Sequence, residues 1–190
     1  MKLGIDIDGV LADFVTPHAV LVEELESTGA AWHVINDSRT WWLDLAPYAG
    51  VSDALRRLDE DDEVYFITRR YGRGVQAQTA IWIAEQCPQE DADSEAVIGS
   101  VIIVSKDQDK GKLAEILTLD AMIDDSDAVA AAVRSRAPKC QMILIDRPWN
   151  RDAARRTRVV RVASFAAALD RLGYAADDDA SDPPPPAVTP

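Results

Sequence analysis

The chain opens on an apolar stretch, Lys2 to Ile7, that runs straight into acid: Ile5-Asp6-Ile7-Asp8-Gly9. An unbroken Leu- and Ile-rich run that stops at Asp-Gly has the pattern of a strand buried on both faces, as in a parallel sheet, ending in a loop. Residues two apart on a strand leave the pleat on the same side, so Asp6 and Asp8 can face one cleft. Gly9 then permits a sharp turn with the backbone close to a ligand. An ordinary Asp-Gly turn, with Asp6 capping the next helix, would give the same string. The other strand ends decide between the two.

Apolar segments of strand length recur at Glu63 to Thr68 (EVYFIT), Val101 to Val104, Ala121 to Ile123 and Met142 to Ile145. Helical patterns separate them, at Leu11 to Leu25, Val51 to Leu58, Gln76 to Gln86, Lys112 to Leu117 and Ala128 to Arg136. This alternation predicts an α/β fold, a Rossmann-like parallel sheet flanked by helices on both faces. Ligands of such sheets bind beyond the carboxyl ends of the strands. There, Thr68 offers a hydroxyl and following amides for a phosphate oxygen, with Arg69 and Arg70 adding positive charge. The third strand is followed by the lysine cluster SKDQDKGK, and the fourth run ends in Asp124-Asp125-Ser126-Asp127.

Adjacent acids at the end of an apolar strand repel one another unless a cation shares them. A magnesium ion, with ligands from Asp6, the backbone carbonyl of Asp8 and one of the later acids, would supply that cation and neutralise a substrate phosphate. An oxygen-only donor set favours magnesium over zinc. With lysine near the phosphate, one carboxylate of the first pair could attack phosphorus while its neighbour shuttles the proton.

Between the first helix and Gly50 the pattern loosens at Gly29, Asn36-Asp37-Ser38 and Pro47, while Trp32, Trp41, Trp42 and Tyr48 gather aromatic surface. Residues 15–49 are therefore expected to form a small, mainly helical cap inserted after the first strand, with 1–14 and 50–176 as the core. The stretch 177–190, DDDASDPPPPAVTP, cannot bury apolar area or donate ladder hydrogen bonds and is expected to be disordered.

At 190 residues one compact domain needs no covalent staples. The 33 acidic against 20 basic residues give a net charge of −13, which would repel a polymeric nucleic acid but not a small phosphorylated ligand inside a locally positive, metal-bearing cleft. Cys87 and Cys140 have no metal-ligand or redox spacing, and His18 and His33 lack partners suited to zinc or base work. Without a leader pattern or a membrane-length apolar run, a cytoplasmic protein is expected, with no membrane partner.

From Lys2 to Asn150 the order acid pair, threonine, lysine, acid pair resembles the four motifs of the haloacid-dehalogenase-like (HAD) phosphatases. Within them the chain is most similar to the 5′(3′)-deoxyribonucleotidases and related bacterial and phage nucleotidase-like proteins, through IDIDGVLADF at Ile5 to Phe14, WWLDLAPYAG at Trp41 to Gly50, VYFIT at Val64 to Thr68, IDD at Ile123 to Asp125, and Asn150. The resemblance implies Asp6 as nucleophile, Asp8 as acid/base, Thr68 at the phosphate, and Asp125 as the side-chain metal ligand supported by Asp124. Lys110 looks like the motif lysine, with Lys106 and Lys112 as alternatives. Phe14 matches a residue that stacks on the nucleobase. Trp41 and Trp42 match cap aromatics near the substrate, core packing being an equal alternative for Trp42. Arg69, Asn150 and Arg147 would lie by the same cleft. The implied reaction is magnesium-dependent hydrolysis of a nucleoside monophosphate, foremost a deoxynucleotide. Alternatives are a 3′-phosphatase on nucleic-acid ends, a phosphatase for another small metabolite, or a non-catalytic binding protein. The segment before Trp41 is shorter than in the animal enzymes, so some of their base and sugar contacts have no match here.

Overall fold

The computed structural model describes residues 1–87, 99–151 and 159–174; the acidic, proline-rich stretch 177–190 lies outside them. The strands are β1 (Lys2–Ile5), β2 (Glu63–Thr68), β3 (Ser100–Ile103), β4 (Ala121–Asp124), β5 (Gln141–Ile145) and β6 (Val160–Val162). They form one sheet, ordered β3-β2-β1-β4-β5-β6, with every pairing parallel. The helices are α1 (Val15–Leu25), α2 (Thr28–Asp37), α3 (Val51–Leu55), α4 (Val75–Gln86), α5 (Asp107–Ile116), α6 (Asp127–Arg136) and α7 (Phe165–Leu172).

Both faces of the sheet are covered, which is why its strands read as continuous apolar runs. On one face Leu3, Ile5, Phe66, Ile123, Ile143 and Ile145 pack with Trp42, Trp82, Phe165 and Leu169. On the other, Ile67, Met122 and Leu144 meet Ala114 of α5 and Val129, Ala130 and Val133 of α6. The chain leaves β1 for β2 on one side and later returns to β4 on the other. Such a reversal opens a crevice at the carboxyl ends of the strands, and β1 and β4 are the strands that lead into the two acid pairs.

Several elements depart from the sequence expectation. Helix α1 begins at Val15 rather than Leu11, because the intervening residues fold back: the amides of Leu11 and Ala12 both donate to the Ile7 carbonyl, each at 2.8 Å. Asp13 accepts from the amide of Thr16 at 3.1 Å, satisfying one of the donors orphaned at the helix start. Residues 15–49 hold both α1 and α2; Ser27 caps α2 through the amide of Ala30, and the helix runs through Gly29, whose poor propensity had blurred the pattern. Helix α5 begins at Asp107 rather than Lys112, so the lysine cluster from Asp107 onward is helical, with Asp107 and Asp109 complementing the helix dipole in its first turn. Strand β6, Val-Arg-Val, and α7 lie beyond the last expected strand; three residues on a sheet edge carry too little periodicity to announce themselves. Among the described residues no helix is long and apolar enough to cross a membrane.

Candidate active site

Beyond the strand ends lies a cavity of about 350 Å³, lined by residues of both acid pairs, Thr68, Lys110 and aromatic side chains of residues 14–42. Its floor is a buried trio. Lys110 Nζ lies 2.8 Å from Asp6 Oδ1 and 2.8 Å from Asp124 Oδ2. Both oxygens of Asp124 have a partner, since its Oδ1 accepts the amide of Ser126 at 2.8 Å. Asp6 Oδ1 also accepts the amide of Ile7 at 2.7 Å. No hydrogen bond among the described residues reaches Asp6 Oδ2, so one oxygen of this carboxylate is left open.

Two close approaches at glycines place this trio and the neighbouring Asp125. The residue after Lys110 is Gly111, where a Cβ would stand 2.7 Å from the carbonyl carbon of Ala132; its absence lets α5 lie against α6 and brings Lys110 over the sheet. Gly9 has φ +86°, and a Cβ there would sit 2.1 Å from Asp125 Oδ2. Only glycine fits both the turn and the carboxylate beside it. Of the three candidate lysines, Lys110 is the one in the floor, while exposed Lys112 pairs with Asp109 on the outer side of α5 and Lys106 precedes the helix.

The electrostatics follow from burial. Removal from water pushes the Asp6 carboxyl well above the usual range, with Lys110 opposing and Asp124, Asp125 and Asp8 reinforcing the rise. Burial alone would lower the Lys110 ammonium, but the carboxylates of Asp124 and Asp6 outweigh it and the net shift is upward, so this lysine stays charged. Asp125 is pushed up to about 7, first by burial and then by the charge of Asp124, although the Trp149 indole N–H donates to its Oδ2 at 2.7 Å.

These residues fit a divalent cation. Oxygens of Asp6, Asp124 and Asp125 lie within 4.8 Å of one another, and the donors are all hard oxygens. Asp6 and Asp125 are the side chains placed to hold it, because both line the cavity and Asp124 does not.

The second acid of the first pair is held differently. Asp8 Oδ1 accepts from Arg70 Nη2 at 2.7 Å, and its Oδ2 accepts from Arg70 Nε at 2.9 Å and from the Thr68 hydroxyl at 3.3 Å. Thr68 therefore lines the cavity with its hydroxyl turned to Asp8. Its neighbour Arg69 stays half exposed at the mouth of the cavity and pairs with Asp107 at 3.1 Å.

Phe14 and Trp42 form an aromatic wall, ring centroids 5.6 Å apart and 22° from parallel, with Trp32 stacked on Phe14 at 5.6 Å. All three line the cavity. Trp42 is both wall and core: it is buried, and its indole N–H donates to the Tyr71 carbonyl at 3.0 Å. Trp41 is not among the lining residues; its indole nitrogen is buried without a hydrogen-bond acceptor among the described residues.

Asn150 lies at the edge of the cavity, but its amide is consumed inside the protein. Nδ2 donates to the carbonyls of Asp125 and Ile145, at 2.7 and 2.8 Å, and Oδ1 accepts from the Arg147 amide and the Arg161 guanidinium, at 3.0 and 2.6 Å. That saturates a carboxamide, so Asn150 holds the Asp125 loop rather than offering a contact to a ligand. Arg147 likewise turns inward, donating to the Gly9 carbonyl at 2.6 Å and stacking over Tyr48. Sequence reasoning passed over Trp32 and Trp149 as site residues. Trp149 had the signal of a large aromatic just past a strand end, in Arg-Pro-Trp-Asn.

No family model matches the chain, and no curated protein matches it in sequence. Solved structures do match in shape. A protein from Thermotoga maritima assigned as a β-phosphoglucomutase superposes with a TM-score of 0.62 at 14% identity, covering 90% of this chain and 98% of that one. One from Burkholderia xenovorans LB400, assigned as a haloacid dehalogenase-like hydrolase, gives 0.57 at 13% identity, covering 89% and 94%. A HAD-superfamily hydrolase of subfamily IA from Geobacter sulfurreducens PCA gives 0.55 at 13% identity, covering 90% and 96%. The six-stranded parallel sheet with its flanking helices is the HAD-like fold, and at these identities the likeness speaks for the fold.

Proposed function

We propose that this chain is a magnesium-dependent phosphomonoesterase working through an aspartyl-phosphate on Asp6, with nucleoside monophosphates, foremost deoxynucleotides, as its substrates. The observation that carries this reading is the buried floor: a carboxylate with one oxygen held by Lys110 and a backbone amide, and the other open toward the cavity. A nucleophile needs a fixed position and a free lone pair, and a phosphoryl group approaching it needs positive charge already in place.

In the first half of the reaction Asp6 attacks phosphorus and the bond from phosphorus to the ester oxygen breaks, that oxygen taking a proton from Asp8. In the second, a water gives a proton to Asp8 as its oxygen attacks phosphorus; the bond to Asp6 breaks and inorganic phosphate leaves. Lys110 stays charged throughout and steadies the anionic oxygens. A magnesium ion held by Asp6 and Asp125, with the Asp8 carbonyl, would neutralise the phosphate that these acids otherwise repel.

The nucleotide half rests on the stacked Phe14, Trp32 and Trp42 beside the acids, since a flat apolar wall next to a phosphate site suits a base joined to a phosphate. Net charge disfavours a polymer as substrate. The free thiols Cys87 and Cys140 suit the reducing cytoplasm. Phosphate release should be measured across 5′- and 3′-mononucleotides, sugar phosphates and phosphorylated oligonucleotides, with and without magnesium, for the parent protein and Asp6→Asn. Magnesium-dependent turnover that Asp6→Asn abolishes is expected, with mononucleotides turned over best. Turnover that survives Asp6→Asn ends the covalent reading, and preference for sugar phosphates ends the nucleotide one.

A further inference from the structure

Arg70 is fully buried, yet it is neither a surface counter-ion nor a ligand-facing cation. Its Nη1 donates to the Thr79 hydroxyl at 3.2 Å, and Nε and Nη2 grip both oxygens of Asp8. The guanidinium lies 4.8 Å from the ring centre of Trp42 and 5.9 Å from that of Trp82. Those indoles are themselves tied down, Trp42 to Tyr71 and Trp82 to the Leu45 carbonyl at 2.8 Å. A planar, forked cation held against two fixed rings presents its donors in one orientation.

From this geometry we infer that Arg70 is a positioning residue for proton transfer, aiming the Asp8 carboxylate at the leaving-group oxygen and choosing which of its oxygens carries the proton. The inference rests on the phosphatase reading and adds to it. Each carboxylate oxygen can accept about two hydrogen bonds. Asp8 Oδ2 already takes two donors, Arg70 Nε and the Thr68 hydroxyl, and is full; Oδ1 takes only Arg70 Nη2 and keeps a lone pair. The proton therefore travels on Oδ1, which gives it to the ester oxygen as the bond to phosphorus breaks and recovers it from the attacking water. Trp42 contributes to two things at once: one surface lines the substrate wall and the ring packs on Arg70. Alignment of the acid thus depends on the aromatic wall as well as on the sheet.

The test uses the dependence on leaving group. Departure of 4-nitrophenolate needs no proton, whereas departure of an alkoxide, as from a nucleoside or glycerol phosphate, does. In Arg70→Gln the kcat on the alkyl ester should fall about a hundredfold, in the range of general acid–base contributions, with KM within about threefold. Single-turnover release of nitrophenolate should fall less than about fivefold on the same scale. Arg70→Lys, which keeps the charge but not the fork, should fall between parent and Arg70→Gln, and it carries the test if Arg70→Gln does not fold. Adding Arg70→Gln to Asp8→Asn should cost little beyond Asp8→Asn alone, because both changes remove the same function. Equal losses on both esters, or full additivity with Asp8→Asn, would overturn the role in proton transfer, as would parent-like kinetics in both Arg70 variants. These outcomes occur in a parent enzyme that turns over, so they remove the Arg70 role alone; a parent protein inert on every ester removes the phosphatase reading and this inference together.

Discussion

At the floor of the cleft, Asp6, Lys110 and Asp124 are buried on strand ends and a helix, and each makes charged hydrogen bonds to groups equally fixed. Across the cleft, α1 has no fully buried residue, and Val15, Val20 and Leu25 lie 40, 50 and 39% exposed. The two halves face one cavity but answer to different constraints. Buried charge tolerates almost no displacement, because each ion depends on a partner for its solvation. The half-buried Phe14 and Trp32 of the aromatic wall, at the start of α1 and on α2, bind through area, and area forgives small shifts. On the proposed reading, chemistry sits where the fold is over-determined and choice of substrate where it is not.

The severest challenge to this contrast is Lys110→Ala. It leaves Asp6 and Asp124 buried without their cation and should cost about 3–5 kcal/mol of stability, seen as a lower urea midpoint with an unchanged slope. A cost below about 1 kcal/mol would mean that water enters the floor and that the trio is not the rigid half.

Magnesium probes the same floor through pH. The Asp125 carboxyl, pushed up to about 7 by burial and the Asp124 charge, has a folded value above its unfolded one. The metal-free fold is therefore favoured by low pH on this account and loses that contribution as pH rises from the unfolded value through about 7. A metal needs the ionised form, so the magnesium-induced rise in melting temperature should be small at pH 5.5 and larger at pH 8. At a hundredfold excess over Kd it corresponds to about 2.7 kcal/mol. Asp125→Asn should flatten the pH dependence; a shift equally large at both pH values would place the metal elsewhere.

For the wall, Phe14→Ala should raise KM for nucleotides by about five- to 150-fold, the 1–3 kcal/mol typical of base–aromatic stacking. KM for glycerol phosphate, which has no base, should stay within twofold on the same scale. Equal changes on both substrates would make Phe14 a support of the floor. The smallest effect is expected on the outer surface of α1, where Val20→Ser should alter stability by no more than about 0.5 kcal/mol in thermal unfolding. A larger loss would reveal that this apolar face is covered in solution.

What could be read from the chain follows the same division. Asp6 and Asp8 could be placed at one cleft because the pleat and the abrupt end of an apolar run fix where such side chains point, whereas only the resemblance singled out Asp125 from the later acids. Arg69 and Arg70 were not separable, because only the path after Thr68 turns one outward to Asp107 and the other inward to Asp8. Among three lysines, the deciding feature was the contact of Gly111 with α6, a tertiary fact. Asn150 read as a ligand contact because a carboxamide at a strand end looks the same in sequence whether it faces a substrate or a carbonyl. The wall was legible as composition, four aromatics within a short stretch, but not as geometry, so Trp32 was overlooked and Trp41 over-read.

The place of β1 at the middle of the sheet also bears on how the molecule is made. This strand leaves the ribosome before either of its neighbours, since one of its edges pairs with residues 63–66 and the other with 121–123. At ordinary elongation rates it waits on the order of ten seconds for its second neighbour, an aliphatic strand with an open edge. Asp6 and Asp8 flank that strand at one end and Lys2 at the other, the positions from which charges disfavour wrong pairing of an apolar strand. The aspartates proposed to work on phosphate in the finished protein thus stand, in the nascent one, where charge opposes edge-to-edge pairing.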